Sequence, residues 1–323
     1  MRYKFLFLFL LAIAALVFCL EVVIGPVKIS LTEIIKVLLG NSTGKYDIII
    51  KELRLPRAVL AFTVGFSLST AGAVYQGIFK NPMADPYVLG VASGAALGMS
   101  IGLVYFQSYY LILAFIAALI TLFLVYSIAS HAKGGLPTNT LLLSGIAISL
   151  LFSSLTALIL YLNSKSAAMI LFTLMGTISN ANWSQVKISL SIFPIFFLIY
   201  IFSKELNILT LGEENAKVMG VDAEKFKKIL LVLSTLITSI SVALCGIIGF
   251  VGLITPHMAR LMVGQNFRYL LPVSAVLGAI LILIADILAR TMISQAEIPI
   301  NIITTLFGVP FFLYLLTKGG KKQ

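Results

Sequence analysis

Few side chains in this sequence could do chemistry, and their spacing narrows what that chemistry is. Arg54 and Arg57 bracket Pro56 in RLPR, at the start of an apolar run where a first-turn proline is tolerated. Two guanidiniums placed there either snorkel to a membrane interface or offer a cationic patch to an acidic partner outside. Asp286 and Arg290 stand four residues apart, the spacing of an ion pair on one helix face that lowers the cost of both charges. Neither His131 nor His257 has a second ligand at metal spacing, so no metal site is predicted. The sequence has no G-x-x-x-x-G-K-[ST] loop to cradle a nucleotide phosphate and no H-E-x-x-H run to hold zinc. An ATPase within the chain and an intramembrane hydrolase are both disfavoured. The chain is read as no enzyme, with no cofactor of its own.

The longest charged insertion of the second half, Ser203 to Lys228, offers recognition rather than catalysis. GEENAKVM reads as a short helix: Glu213 and Glu214 favour the positive end of its dipole, Lys217 follows Glu213 at i,i+4, and Gly220 stands where a left-handed cap belongs. Asp222 then caps a new helix that opens AEKFKK and runs into the apolar segment 229–250. Two short helices joined at a glycine elbow are more capping chemistry than a solvated connector needs. The stretch is predicted to be a docking knob for another protein.

These residues must be held by membrane elements. Of the 323 residues 60% are hydrophobic and only 11% charged, with mean hydropathy +1.07, whereas soluble domains carry roughly 25% charged residues. Alternating apolar and polar runs are scarce, so a transmembrane barrel is excluded in favour of a helical bundle. The net charge of +11 is assigned to basic loops on the inner side, not to nucleic acid. Cys19 and Cys245 both lie in apolar runs and read as small packing residues. Apolar runs at about 4–24, 57–79, 86–105, 110–130, 138–162, 186–202, 229–250, 254–265, 270–293 and 299–317 predict ten helices in a single permease domain, 1–323. Apart from the loop before Arg57, the 23 Lys and Arg fall mostly on the side that makes both termini inner.

Gly90, Gly94 and Gly98 recur at four-residue steps and predict a bare helix face against which a neighbour packs closely. Chain breaks at Asn81-Pro82 and Asp85-Pro86 are matched by Gly246, Gly249, Gly252 and Pro256 in the second half. They follow helices two and seven, which cross in opposite senses, the pattern of an inverted repeat in a transporter.

Two long blocks, RLPRAVLAFTVGFSLSTAGAVYQGIFKNPMADPYVLGVASGAALG and GFVGLITPHMARLMVGQNFRYLLPVSAVLGAILILIADILARTMISQAEIPINIITTLFGVPFFLYLL, resemble the FecCD-type permease family. Its members are membrane subunits of ABC importers for iron-siderophore complexes, haem and cobalamin. The resemblance spans nearly the whole chain. It implies an all-α integral membrane protein of about ten helices per subunit, a homodimer, two cytoplasmic ATPase subunits carrying ATP and Mg, and an external substrate-binding protein. It assigns binding-protein docking to Arg54, Arg57 and Arg290, and ATPase coupling to Leu211, Gly212, Glu213, Glu214, Ala216, Val218, Met219, Gly220, Val221 and Asp222. It assigns a cytoplasmic gate to Pro137, Thr138 and Asn139, where Asn139 departs from the small hydroxyl residue expected, and makes 163–185 an outer loop with an extra helix at the vestibule. The expected location is the cell membrane, the inner one where there are two.

The implied function is the permease of an ATP-driven importer, with an iron-siderophore as first cargo and cobalamin, haem or an oxyanion as alternatives. An ion-coupled secondary carrier is the rival from another class. It is disfavoured because the apolar runs hold only Asp286 well inside a segment, whereas such carriers place carboxylates near the midplane.

Overall fold

A computed structural model of the chain describes residues 2–40, 44, 46–106, 109–131, 138–293 and 296–319, and every regular element among them is helical. An apolar run in lipid must satisfy its own backbone donors and acceptors, which a helix does within one segment. The order is α1 (Arg2–Val23), the short amphipathic α2 (Leu31–Leu38) and a π-helical turn (Ile48–Arg54) that runs straight into α3 (Leu55–Ile78). Then come α4 (Val91–Tyr105), α5 (Tyr110–Ser130), α6 (Thr138–Leu162), α7 (Ser164–Leu174), α8 (Trp183–Ser189) and α9 (Ile192–Ile201). The elbow region holds α10 (Ser203–Thr210) and α11 (Glu213–Val218), followed by α12 (Ala223–Cys245), α13 (Val251–Val263), α14 (Phe267–Thr291) and α15 (Ile300–Gly319).

Each of the ten expected runs falls on helix, but length and composition support seven crossings among the described residues. The remaining runs form the shorter apolar helices α4, α13 and the α15 stretch Ile300–Tyr314. The run 186–202 is broken at Leu190 and Ser191 into α8 and α9, and Pro256 lies inside α13 instead of ending it. Gly90 is also displaced from its expected place. It caps α4 with φ +78, while Gly94 and Gly98, continued by Gly102, form the bare face, pressed against α5 at Ala117, Leu113 and Tyr110. A left-handed φ suits glycine because a Cβ would clash there.

α3 is the central helix, buried along almost its whole length. A Cβ on Gly65 would strike the Gly278 carbonyl of α14, and one on Gly72 would strike the Gly252 carbonyl of α13. Small residues thus bring three backbones into contact, which is how helices associate where lipid removes the hydrophobic drive. Side-chain hydroxyls tie the same seams: Tyr75 Oη lies 2.8 Å from Thr235 Oγ1, and Ser69 Oγ donates to the Ser274 carbonyl at 2.6 Å. Such interhelical bonds contribute about 0.6 kcal/mol each.

Cross-helix contacts fix relative direction. Tyr3 stacks on Tyr269 at 4.8 Å while Glu21 pairs with Arg290, so α1 and α14 run parallel. Arg57 meets Asp286, so α3 runs against them. The bundle therefore has two ends. One carries the start of α1, the end of α9 and the elbow; the other carries Glu21, Arg57, Asp286 and Arg290.

Candidate functional site

The end remote from the elbow holds a buried charge cluster. Arg57 enters on the first turn of α3 and forks onto Asp286 of α14, with Nε to Oδ2 at 2.7 Å and Nη2 to Oδ1 at 2.9 Å. Its third nitrogen donates to Glu297 Oε1 at 2.9 Å. Glu297 stands after α14, with its side chain 35% exposed, so Arg57 bridges a fully buried carboxylate and a rim carboxylate. Arg290, one turn beyond Asp286, places Nη2 2.6 Å from Glu21 Oε1 while donating to the Glu21 carbonyl at 2.5 Å. Arg54 donates to the carbonyls of Val22 and Val23 at 2.8 Å and of Val27 at 2.5 Å, closing the end of α1. Arg57 and Asp286 meet the requirement that a buried charge be paired and hydrogen-bonded, Arg290 and Glu21 meet it as an ion pair, and Arg54 is held by carbonyls alone.

The cluster corrects two expectations. Arg54, Arg57 and Arg290 are 4%, 9% and 6% exposed, so they form no open cationic patch on the isolated subunit. All three nitrogens of Arg57 reach carboxylates of the chain itself, and Arg54 and Arg290 each place guanidinium nitrogens on its carbonyls or carboxylate, while Arg290 Nε has no partner among the described residues. Asp286 and Arg290 do not pair with each other, because α3 and α1 bring in Arg57 and Glu21 as closer partners. Glu21 and Glu297 were missed in the sequence. Glu21 has a signal, a lone acid at the end of the first apolar run; Glu297, between apolar segments, has none that separates it from a loop acid.

At the opposite end the elbow has its expected caps. Gly220 has φ +75, with its N–H donating to Lys217 at 3.0 Å and the Val221 N–H donating to Ala216 at 2.8 Å. That pair of bonds is a Schellman closure. Asp222 Oδ1 accepts from the Lys225 N–H at 3.0 Å and starts α12. Glu213 does not use Lys217 but forms an ion pair with Lys227, which ties α11 to α12. Asn207 of α10 caps α14 by accepting from the Phe267 N–H at 2.9 Å, so the elbow is joined to two long helices. Ala216 is buried and Gly212 and Val221 are half-buried, while Glu213, Glu214, Gly220 and Asp222 lie toward solvent. Leu211, Val218 and Met219 are exposed on this polar knob, Val218 to 88%.

The remaining sequence-predicted positions are dispersed. Thr138 opens α6 half-buried and Asn139 is exposed, while Pro137 lies outside the described residues. Helix α7 covers part of the expected outer helix, and the chain from Gly176 to Asn182 is irregular. In the break after α3, burial pushes the Asp85 carboxyl up to about 6, against the lowering effect of the Tyr87 N–H it accepts. Gly98, Ser100 and Gly102 also spell G-x-S-x-G. A nucleophile in that pattern needs a strand-to-helix turn. Ser100 instead sits fully buried within α4 and donates to the Ala96 carbonyl at 2.7 Å, so it is no nucleophile. No group of three or more His, Cys, Asp or Glu side chains that could hold a metal occurs among the described residues.

This arrangement, a glycine-packed bundle with a capped elbow at one end and an arginine cluster at the other, has counterparts. The FecCD transport family matches residues 11–318. A cobalamin import system permease protein of Halobacterium salinarum is 43% identical over 275 residues, covering 84% of this chain and 73% of the relative. A hemin transport system permease protein of Yersinia pestis is 38% identical over 284 residues, covering 84% of each chain. Among solved structures, an ABC transporter described as of metal-chelate type, in an inward-facing conformation, superimposes with a TM-score of 0.89 at 31% identity over 98% of this chain and 99% of its own. With the match running through both ends of the bundle, the chain is a multi-pass membrane protein of the FecCD transport family.

Proposed function

We propose that the chain is the permease subunit of an ATP-driven, binding-protein-dependent importer of a metal chelate. Two copies enclose the translocation path, two partner ATPases bind ATP and Mg on the elbow side, and a binding protein delivers cargo at the opposite end, in the cell membrane. The observation that carries the reading is the elbow, where Leu211, Val218 and Met219 project from a rigidly capped polar knob. Exposed apolar side chains on such a knob suit a partner's cleft. Asn207 and the Glu213 to Lys227 pair join the knob to α14 and α12, so displacing it tilts those helices as bodies. The outer arginines serve docking through their rim, where Arg57 can exchange Glu297 for a partner's carboxylate. The gate role of Thr138 and Asn139 and the single domain 1–323 belong to the same proposal.

An iron-siderophore is the first cargo. A corrinoid is the second reading, favoured by the 43% identity to a cobalamin permease. The test is uptake into proteoliposomes holding the chain, its ATPase and its binding protein. Radiolabelled ferric siderophore, haem and cobalamin are offered in turn. Uphill uptake of one of them should require ATP and all three components, and Val218→Asp with Met219→Asp should abolish it while the fold stays intact. Accumulation by the chain alone under a proton gradient would replace this reading with the secondary carrier.

A further inference from the structure

Three helix ends meet on the elbow side of the bundle: the start of α1, the end of α9 and the start of α14. Between them lies a groove of about 390 Å³. Its walls are aromatic and aliphatic, from Phe7 of α1, Phe196 and Tyr200 of α9, and Pro272 and Val273 of α14. Its mouth carries two cations, Lys4 and Arg268, both exposed, beside the stacked pair Tyr3 and Tyr269. Among the described residues no acidic side chain lines it. A second groove of about 490 Å³ on another face of α1 is walled by Tyr3, Phe5, Leu6, Phe9, Leu261 and Met262, with no charged side chain among the described residues that line it. The two grooves share α1 and the side chain of Tyr3, and differ in charge.

We propose that the first groove is a binding site for an anionic phospholipid, with an acyl chain against Phe7, Phe196 and Val273 and the phosphate between Lys4 and Arg268. Depth and charge both select this occupant. Tyr3, Tyr200 and Tyr269 stand at the ends of membrane spans, the level of an interfacial aromatic belt. Lys and Arg at that level, over an apolar slot, match a phosphodiester whose tails point into the core. A soluble ligand would leave the apolar walls to bulk lipid. A protein partner would need to leave two cations unpaired or bring acids into the headgroup layer. The occupied groove would brace α9 and α14 where they enter the elbow, since α10 begins at Ser203, just after Tyr200.

The test uses the full chain in lipid bilayers. The sequence has one tryptophan, so in a Trp183→Phe background Tyr269→Trp gives a single indole at the groove mouth, and Tyr200→Trp gives a second reporter should the first variant misfold. Brominated phosphatidylglycerol diluted into phosphatidylcholine should quench that indole far beyond its mole fraction. The expected preference is roughly thirtyfold, equivalent to about 2 kcal/mol for two basic side chains. It should disappear in Lys4→Ala with Arg268→Ala. A Phe9→Trp reporter in the uncharged groove should show no preference. Equal quenching by brominated phosphatidylcholine overturns the proposal, as does a preference that survives the double alanine variant. Displacement of the brominated lipid by free glycerol phosphate would overturn it too, by assigning the cations to a soluble anion.

Discussion

Arg57 holds two carboxylates of unlike standing, and the difference separates structure from recognition. Asp286 is fully buried and receives a bidentate fork, whereas Glu297 sits at the rim and takes one bond. Removing one partner of a buried pair leaves an uncompensated charge and costs about 3–5 kcal/mol. Asp286→Ala should therefore lower the midpoint of thermal unfolding in detergent sharply. Glu297→Gln should shift stability by less than about 1 kcal/mol, the scale of a solvent-reached pair. The same substitution leaves Arg57 Nη1 a neutral acceptor that a partner's carboxylate can displace, and should tighten the docked complex with the proposed external binding protein; unchanged affinity in a folded variant would remove Arg57 from docking. Charge reversal of Arg54 or Arg57 is a poor probe, because it would break the cluster before it could report on a partner. The sequence made Arg54, Arg57 and Arg290 visible as basic residues at membrane boundaries. It could not reveal that Glu297 and Glu21 pair with Arg57 and Arg290, since those contacts join residues more than two hundred positions apart and no local spacing encodes them.

Elements were legible where the signal is local. The elbow's caps at Gly220 and Asp222 stand where acid, glycine and aspartate spacing put them, because capping is decided within a few residues. The Glu213 partner was not, because Lys227 competes with Lys217 only once α12 folds back beside α11. Gly90 shows the same limit, as a four-residue period cannot distinguish a helical glycine from the cap before the helix. The break at Leu190 and Ser191 leaves no mark in an apolar run either. Gly220 offers a test of the elbow's rigidity. Nothing lies within 4 Å of a Cβ built there, so an alanine would meet only backbone strain, about 1–2 kcal/mol at a left-handed position. Gly220→Ala should weaken association with the proposed ATPase partner roughly tenfold. Gly220→Asn, which tolerates that conformation, should restore most of it. Equal binding by all three would mean that the elbow's shape is not what the partner reads.

At the scale of the molecule, the elbow and the arginine cluster are joined through a core that leaves little room to deform. α3 touches α14 at Gly65 and Gly278, and α13 at Gly72 and Gly252, backbone to backbone. Close-packed interiors transmit displacement and do not absorb it. An elbow pushed from below would therefore move α12 and α14 as rigid bodies, and the arginine cluster at the far end of α14 would move with them. Gly65→Leu tests that joint. The obstacle is the Gly278 carbonyl, which no rotamer change can clear, so α3 and α14 must separate. Overpacking of this kind costs about 1–3 kcal/mol. A lower thermal midpoint is expected, together with loss of ATP-driven uptake in proteoliposomes that still bind the partner ATPase at the elbow. Leu143→Ala, on an exposed face of α6, should leave the midpoint unchanged. If Gly65→Leu lost stability yet kept full uptake, the α3 to α14 seam would be a packing feature alone, and force from the elbow would have to reach the opposite end along α12.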